Sequence, residues 1–132
     1  MGECGIRLTT DTVGALLALT VFLALPAAAS CTLPVPDGGD KPPSRPNVEG
    51  RISGAGPGFV DVALRGRQMP VRVEYTQETQ FYSAFGGDYE PSDLAVGQHV
   101  AVWFVGCRAA KNGVGHATYL KLYSKDPTDQ PR

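Results

Sequence analysis

Apolar and polar residues alternate along residues 59–75, and this alternation constrains the fold more than any other feature of the chain. The stretches FVDVALRG (59–66) and MPVRVEY (69–75) place apolar side chains at every second position, with a turn between them. A period of two is typical of half-buried β-strands, because successive side chains point to opposite faces. The side chains predicted to face the core are Val60, Val62, Leu64, Met69, Val71, Val73 and Tyr75.

Two further strands are predicted from different signatures. VEGRISG (48–54) is interrupted by Gly50, as a bulged or bent strand would be. QHVAVWFVGC (98–107) is apolar on both faces from Val100 to Val105. A strand without alternation is covered on both sides, so this one is predicted to be the most buried.

The remaining elements follow from turn chemistry and composition. KNG (111–113) predicts a hairpin turn, because Asn-Gly supplies two residues that accept positive φ. HATYLKLYS (116–124) then returns as the last strand, and TQFYSAF (79–85) is a further strand or the extension of its neighbour. Pro91 with Asp93 after it suits one helical turn and not a long helix.

These elements predict an all-β fold, a small five- to six-stranded barrel over residues 48–124. A flat sheet of this size would leave one face and two edges bare, whereas closure into a barrel removes both problems. The 132 residues are enough for one domain, and residues 125–132 are predicted to be a disordered tail.

An apolar run, VGALLALTVFLAL (13–25), precedes the small residues PAAAS. This is the order of a secretory signal, and residues 1–30 are predicted to be a signal peptide. The alternative is an uncleaved N-terminal anchor, because no charged residue lies from Thr12 to Pro36. Residues 31–47 are rich in Pro and Gly and are predicted to form a semi-rigid linker. The predicted location is extracytoplasmic, either anchored to the cell membrane or secreted.

Cys31 has two predicted fates. The stretch AASC (28–31) resembles the lipobox of bacterial lipoproteins, in which the cysteine becomes the first mature residue and receives a lipid. Alternatively, AAA (27–29) is the cleavage site, and Cys31 pairs with Cys107 in an oxidising compartment. We expect lipidation and keep the disulfide as the alternative. Cys4 lies in the segment that either cleavage removes.

The order of four stretches, VEGRISG, VRVEYTQETQF, DLAVGQHVAVWFVGC and GVGHATYLKL, resembles a known type of domain. It is similar to bacterial extracytoplasmic domains of unknown function with an oligonucleotide/oligosaccharide-binding-like (OB-like) small barrel. The resemblance covers residues 47–123, and DLAVGQHVAV (93–102) is its most specific part. It implies secretion or lipid anchoring and a barrel whose end Leu94 plugs and where Gly97 makes a turn. It implies no catalytic residues.

Cys107 with His99 or His116 comes nearest to a catalytic or metal-binding set. Neither an oxyanion loop, a third orienting residue nor a ligand spacing accompanies these residues. We therefore predict that the protein is not an enzyme and carries no metal or cofactor. Both histidines are expected at strand ends, facing solvent.

An aromatic cluster beside the Gly-Gly pair at 86–87 is a candidate ligand-contact loop, which would stack a sugar ring, a peptide or a base. Its members are Phe81, Tyr82, Phe85 and Tyr89. In the alternative interpretation, Phe81 and Phe85 close the barrel while the tyrosines lie over its rim.

Charge excludes one class of partner. From residue 47 onward, nine Lys and Arg are balanced by nine Asp and Glu, so counterion release would drive nucleic-acid binding only weakly. The sequence predicts an exported, membrane-tethered barrel that binds an unidentified envelope protein or glycan, held through a lipid on Cys31 or an N-terminal anchor. The alternative is a redox- or metal-responsive envelope protein that uses Cys107 and a histidine.

Overall fold

A computed structural model describes residues 30–35, 39–126 and 128. The predicted signal segment before residue 30 and most of the predicted tail lie outside the described residues. The strands are β1 (Val48–Gly56), β2 (Phe59–Ala63), β3 (Val71–Glu74), β4 (Gln80–Ser83), β5 (His99–Phe104) and β6 (Val114–Leu122). The other elements in the described residues are two 3₁₀ turns, Pro91–Asp93 and Val105–Cys107. No helix in this part of the chain is long and apolar enough to cross a bilayer.

The sheet closes on itself, which confirms the predicted OB-like barrel. Its strand order is β3-β2-β1-β5-β6-β4, and a further parallel pairing of β3 with β6 joins the ends of a five-stranded cylinder. β4 is an extra strand that pairs in parallel with the second half of β6. A bulge between Ile52 and Gly54 lets β1 bend from its pairing with β5 to its pairing with β2.

The core confirms the alternation for most of the predicted positions. Val60, Val62 and Val73 are fully buried, as are Val100 and Val102 of β5. Leu64, Tyr75 and Leu94 are partly buried and pack against this core. At the hairpin, Asn112 and Gly113 have φ of 54° and 76°, as the Asn-Gly signal predicts.

Two core assignments were wrong. Met69 is 79% exposed, because β3 begins only at Val71, after Pro70, and Met69 belongs to the preceding turn. Proline cannot donate a ladder hydrogen bond, which explains why the strand begins after it. Val105 is 59% exposed, because β5 ends at Phe104 and the chain turns there.

Candidate functional site

A second apolar cluster lies on the outside of the barrel, where β5, β6 and β4 run side by side. Ala101, Trp103 and Tyr119 are all less than 5% exposed, although they point away from the barrel core. Tyr82 stacks on Tyr119 with ring centroids 5.1 Å apart, and Trp103 meets Tyr119 edge-on at 5.5 Å. We call these four residues the outer aromatic face. Residues of this type are buried outside a barrel only when another segment covers them.

The cover is the part of the predicted linker that the structure describes, residues 31–35 and 39–47, which we call the strap. Leu33 packs against the outer aromatic face. The indole Nε1 of Trp103 donates a hydrogen bond to the Ser44 carbonyl oxygen at 2.7 Å. Ser44 also joins the two halves of the strap, because its N–H donates to the Thr32 carbonyl and its Oγ accepts from the Thr32 N–H.

Both ends of the strap are fixed at the β5–β6 connection. Cys31 forms a disulfide with Cys107, with Cα atoms 5.4 Å apart. At the other end, Asn47 Oδ1 accepts from the Phe104 N–H, and Asn47 Nδ2 donates to the Cys107 carbonyl, each at 2.9 Å. A lipid thioether and this disulfide would use the same Cys31 sulfur, so the two predicted fates exclude each other. The structure contains the disulfide.

A cleft of about 170 Å³ opens between the strap and the loop that follows β4. Pro34 and Val35 of the strap form one wall, and the stacked rings of Tyr82 and Tyr119 form part of the lining. The remaining lining residues are Ser83, Ala84, Gly86, Gly87 and Lys121. The lining of this small concavity therefore combines two tyrosines with a serine and a lysine, a mixture of aromatic and polar residues that is typical of ligand sites.

The tyrosine at the back of this cleft is kept neutral. Burial, and to a lesser degree the neighbouring Tyr82, raise the pKa of Tyr119 above its usual value. A neutral phenol is both a hydrogen-bond donor and an acceptor, whereas a phenolate only accepts. Lys121 is the lysine in the lining of the same cleft.

The structure does not bring all four predicted loop aromatics together, although Phe81, Tyr82 and Tyr89 line a second, more open concavity. Alternation along β4 sends Phe81 into the core, where it meets the Tyr75 ring at 5.2 Å, and Tyr82 to the outer aromatic face. Phe85 is 66% exposed, because β4 ends at Ser83 and the chain turns back, so it does not plug the barrel. Tyr89 packs against the core from its edge.

The two histidines occupy separate places and pair with different carboxylates. His99 Nε2 lies 3.2 Å from Glu49 Oε1, and the ring meets Tyr123 edge-on at 4.9 Å. His116 Nδ1 lies 3.2 Å from Glu74 Oε2, and its side chain is 72% exposed. Over residues 30–35, 39–126 and 128, no group of three His, Cys, Asp or Glu side chains is placed to hold a metal ion.

One charged pair, Arg72 and Asp61, joins neighbouring strands of the barrel and does not line the cleft. Arg72 donates to both carboxylate oxygens of Asp61 across the β2–β3 pairing, at 2.9 and 3.0 Å. The hydrogen bond from Arg72 is the main reason that the pKa of Asp61 lies below its usual value. The guanidinium also lies 4.1 Å from the centroid of the Phe59 ring, so the pair belongs to the sheet and not to the candidate site.

Sequence reasoning missed the strap, although one signal for it was present. β5 is apolar on both faces, and a barrel strand has only one face toward the core. The outward side chains of Ala101 and Trp103 therefore required a cover from elsewhere in the chain. Asn47, which ties the strap to β5, carries no signal of its own in the sequence.

Comparisons with family models, with curated proteins and with solved structures gave no match.

Proposed function

We infer that the protein is an exported binding module that holds one ring of an envelope glycan in the cleft beneath the strap. The observation that carries this proposal is the stacked Tyr82–Tyr119 pair in the lining of a cleft that also contains Ser83 and Lys121. Aromatic platforms with a few placed polar groups suit ligands that combine ring faces with hydroxyls. The alternative partner is an envelope protein that inserts a side chain into the cleft, and a binding experiment distinguishes it from a glycan.

The size of the cleft favours a polymer over a free small molecule. Its volume of about 170 Å³ is below the roughly 300–1,000 Å³ of sites that enclose a drug-sized ligand. A single sugar ring is the scale of group that such a space admits, and the rest of a chain would run along the surface outside.

The proposed location outside the cytoplasm has two supports. The apolar run at 13–25 has the order of an export signal, and a disulfide between Cys31 and Cys107 persists in oxidising compartments. A Cys31 sulfur engaged in the disulfide cannot carry a lipid, so this proposal has the protein either released by cleavage after AAA (27–29) or held by an uncleaved N-terminal apolar segment.

Substitution of Tyr82 tests the cleft. In the full chain, Tyr82→Ala is expected to weaken retention on immobilised cell-envelope polysaccharide by about tenfold or more, because loss of one aromatic stacking partner costs roughly 1–3 kcal/mol. Tyr89→Ala is the control, since Tyr89 lies in the segment that follows β4 and does not line the cleft. Affinity chromatography and isothermal titration measure both variants.

Two results would show that the cleft does not bind an envelope glycan. One is equal retention of the two alanine variants, and the other is capture of envelope protein but no polysaccharide. Thermal unfolding of each variant shows whether loss of the Tyr82–Tyr119 stacking has disturbed the fold. Tyr82→Phe, which keeps the ring, is expected to bind nearly as well as the native chain.

A further inference from the structure

The strap lies outside the folded unit that it covers. Every residue of the barrel core falls between Val48 and Leu122, and the strap contributes neither a strand to the cylinder nor a side chain to the core. Its contacts are with the outer aromatic face and with the β5–β6 connection. Asn47 stays tied to β5, because its backbone N–H also donates to the Val102 carbonyl, but the described residues before it can leave without removing any pairing of the barrel.

Few non-covalent contacts hold the strap in place apart from its base. Leu33 is only partly buried, and one side-chain hydrogen bond joins Ser44 to Trp103. The bonds between Ser44 and Thr32 lie within the strap and are not lost when it moves as a unit. Because Asn47 is bonded to Cys107 as well, the disulfide closes the strap into a loop whose two ends meet at Cys107.

We propose that reduction of the Cys31–Cys107 disulfide releases the strap, removes one wall of the cleft and uncovers Trp103. Pro34 and Val35 would leave the cleft when the strap is released, so the effect of reduction on ligand binding rests on the proposed function. Cys31 and Cys107 are both partly exposed, so a reductant reaches them. In the chain-entropy model, loss of a disulfide that closes a loop of about 15 residues lowers the ratio of docked to released strap by about 100-fold.

The reductant is a dithiol, which reduces the disulfide in two exchange steps. Its first thiolate attacks one sulfur of the disulfide, which forms a mixed disulfide and releases the other cysteine as a thiolate that takes up a proton. Its second thiol then displaces the remaining cysteine. Cys31 and Cys107 end as thiols, and the dithiol leaves as a disulfide, having supplied both electrons.

Trp103 reports the position of the strap directly, because it is the single tryptophan of the chain and is 4% exposed beneath Ser44. The full chain is titrated with dithiothreitol while thiols are counted and tryptophan emission is recorded. The expected result is a red-shifted emission maximum and faster acrylamide quenching as two thiols appear, with an unchanged far-ultraviolet circular-dichroism spectrum. Emission wavelength is used and not intensity, since the nearby disulfide itself quenches tryptophan.

The double variant Cys31→Ser, Cys107→Ser is the control. It is expected to show the red-shifted emission with and without dithiothreitol. The proposal would be overturned if Trp103 stayed shielded after both thiols had appeared. It would also be overturned if the far-ultraviolet circular-dichroism spectrum of the barrel were lost in step with reduction, because the disulfide would then stabilise the whole fold. No ligand enters this readout, so a failure of polysaccharide binding leaves its result intact.

Discussion

Gly115→Ala is expected to lower the free energy of unfolding by about 2 kcal/mol, within the usual cost of overpacking a core. A Cβ on Gly115 would fall on the Phe104 ring, where three ring carbons are the nearest atoms. Phe104 is 2% exposed and fills the core, so the ring cannot swing aside. Urea unfolding of the full chain under oxidising conditions measures the loss.

Two comparisons make this prediction specific. Gly54→Ala is the matched control, because its Cβ would approach no atom closer than Asp61 Oδ2 at 3.4 Å, an ordinary contact. In a Phe104→Leu background the smaller side chain leaves space, so the cost of Gly115→Ala is expected to shrink. A cost that stays the same in that background would show that the Phe104 ring is not what excludes a side chain at position 115.

Gln98→Met is expected to cost about 2 kcal/mol of stability, although it keeps the length of the side chain. Gln98 is 1% exposed, and its Oε1 accepts from the Ala95 N–H while its Nε2 donates to the Tyr123 carbonyl. Methionine leaves both backbone groups without this partner, and an unsatisfied buried polar group costs roughly 1–3 kcal/mol. The two bonds fasten the turn before β5 to the end of β6, so the change is expected to loosen that edge first.

The exposed Gln80 of β4 provides the comparison for Gln98. Gln80→Met changes the same atoms on the outside of the sheet and is expected to alter stability by less than about 0.5 kcal/mol. Chemical denaturation ranks the two variants, and hydrogen exchange at Ala95 follows the turn. Equal stabilities for the two variants would contradict the role assigned to the Gln98 side chain.

The barrel was largely predictable from the sequence because each strand is marked by the spacing of apolar residues within a short stretch of the chain. Val60 and Val62, or Val71 and Val73, show their common face through spacing alone, and closure follows from the number of short strands. The same rule failed at Met69, where the alternation continued into a turn that Pro70 had already separated from the strand. Periodicity identifies a face but does not mark where a strand begins.

The candidate site was less predictable because it depends on contacts between distant segments. Tyr82 was among the candidate residues, but its partner Tyr119 lies 37 positions later and meets it only through the parallel pairing of β4 with β6. Leu33 is one apolar residue in a stretch rich in Pro and Gly, and such a composition is typical of a spacer. Only the unexplained second apolar face of β5 pointed to a cover, without showing which segment supplies it.

The most direct test is mass spectrometry of the mature protein isolated from the cells that produce it, digested without prior reduction. We expect one cross-linked pair of peptides that contains Cys31 and Cys107, with no other group attached to Cys31. A diacylglyceryl group on Cys31, or Cys31 and Cys107 thiols that stay unpaired after mild oxidation, would contradict this result, because no disulfide would then fix the strap beside the cleft.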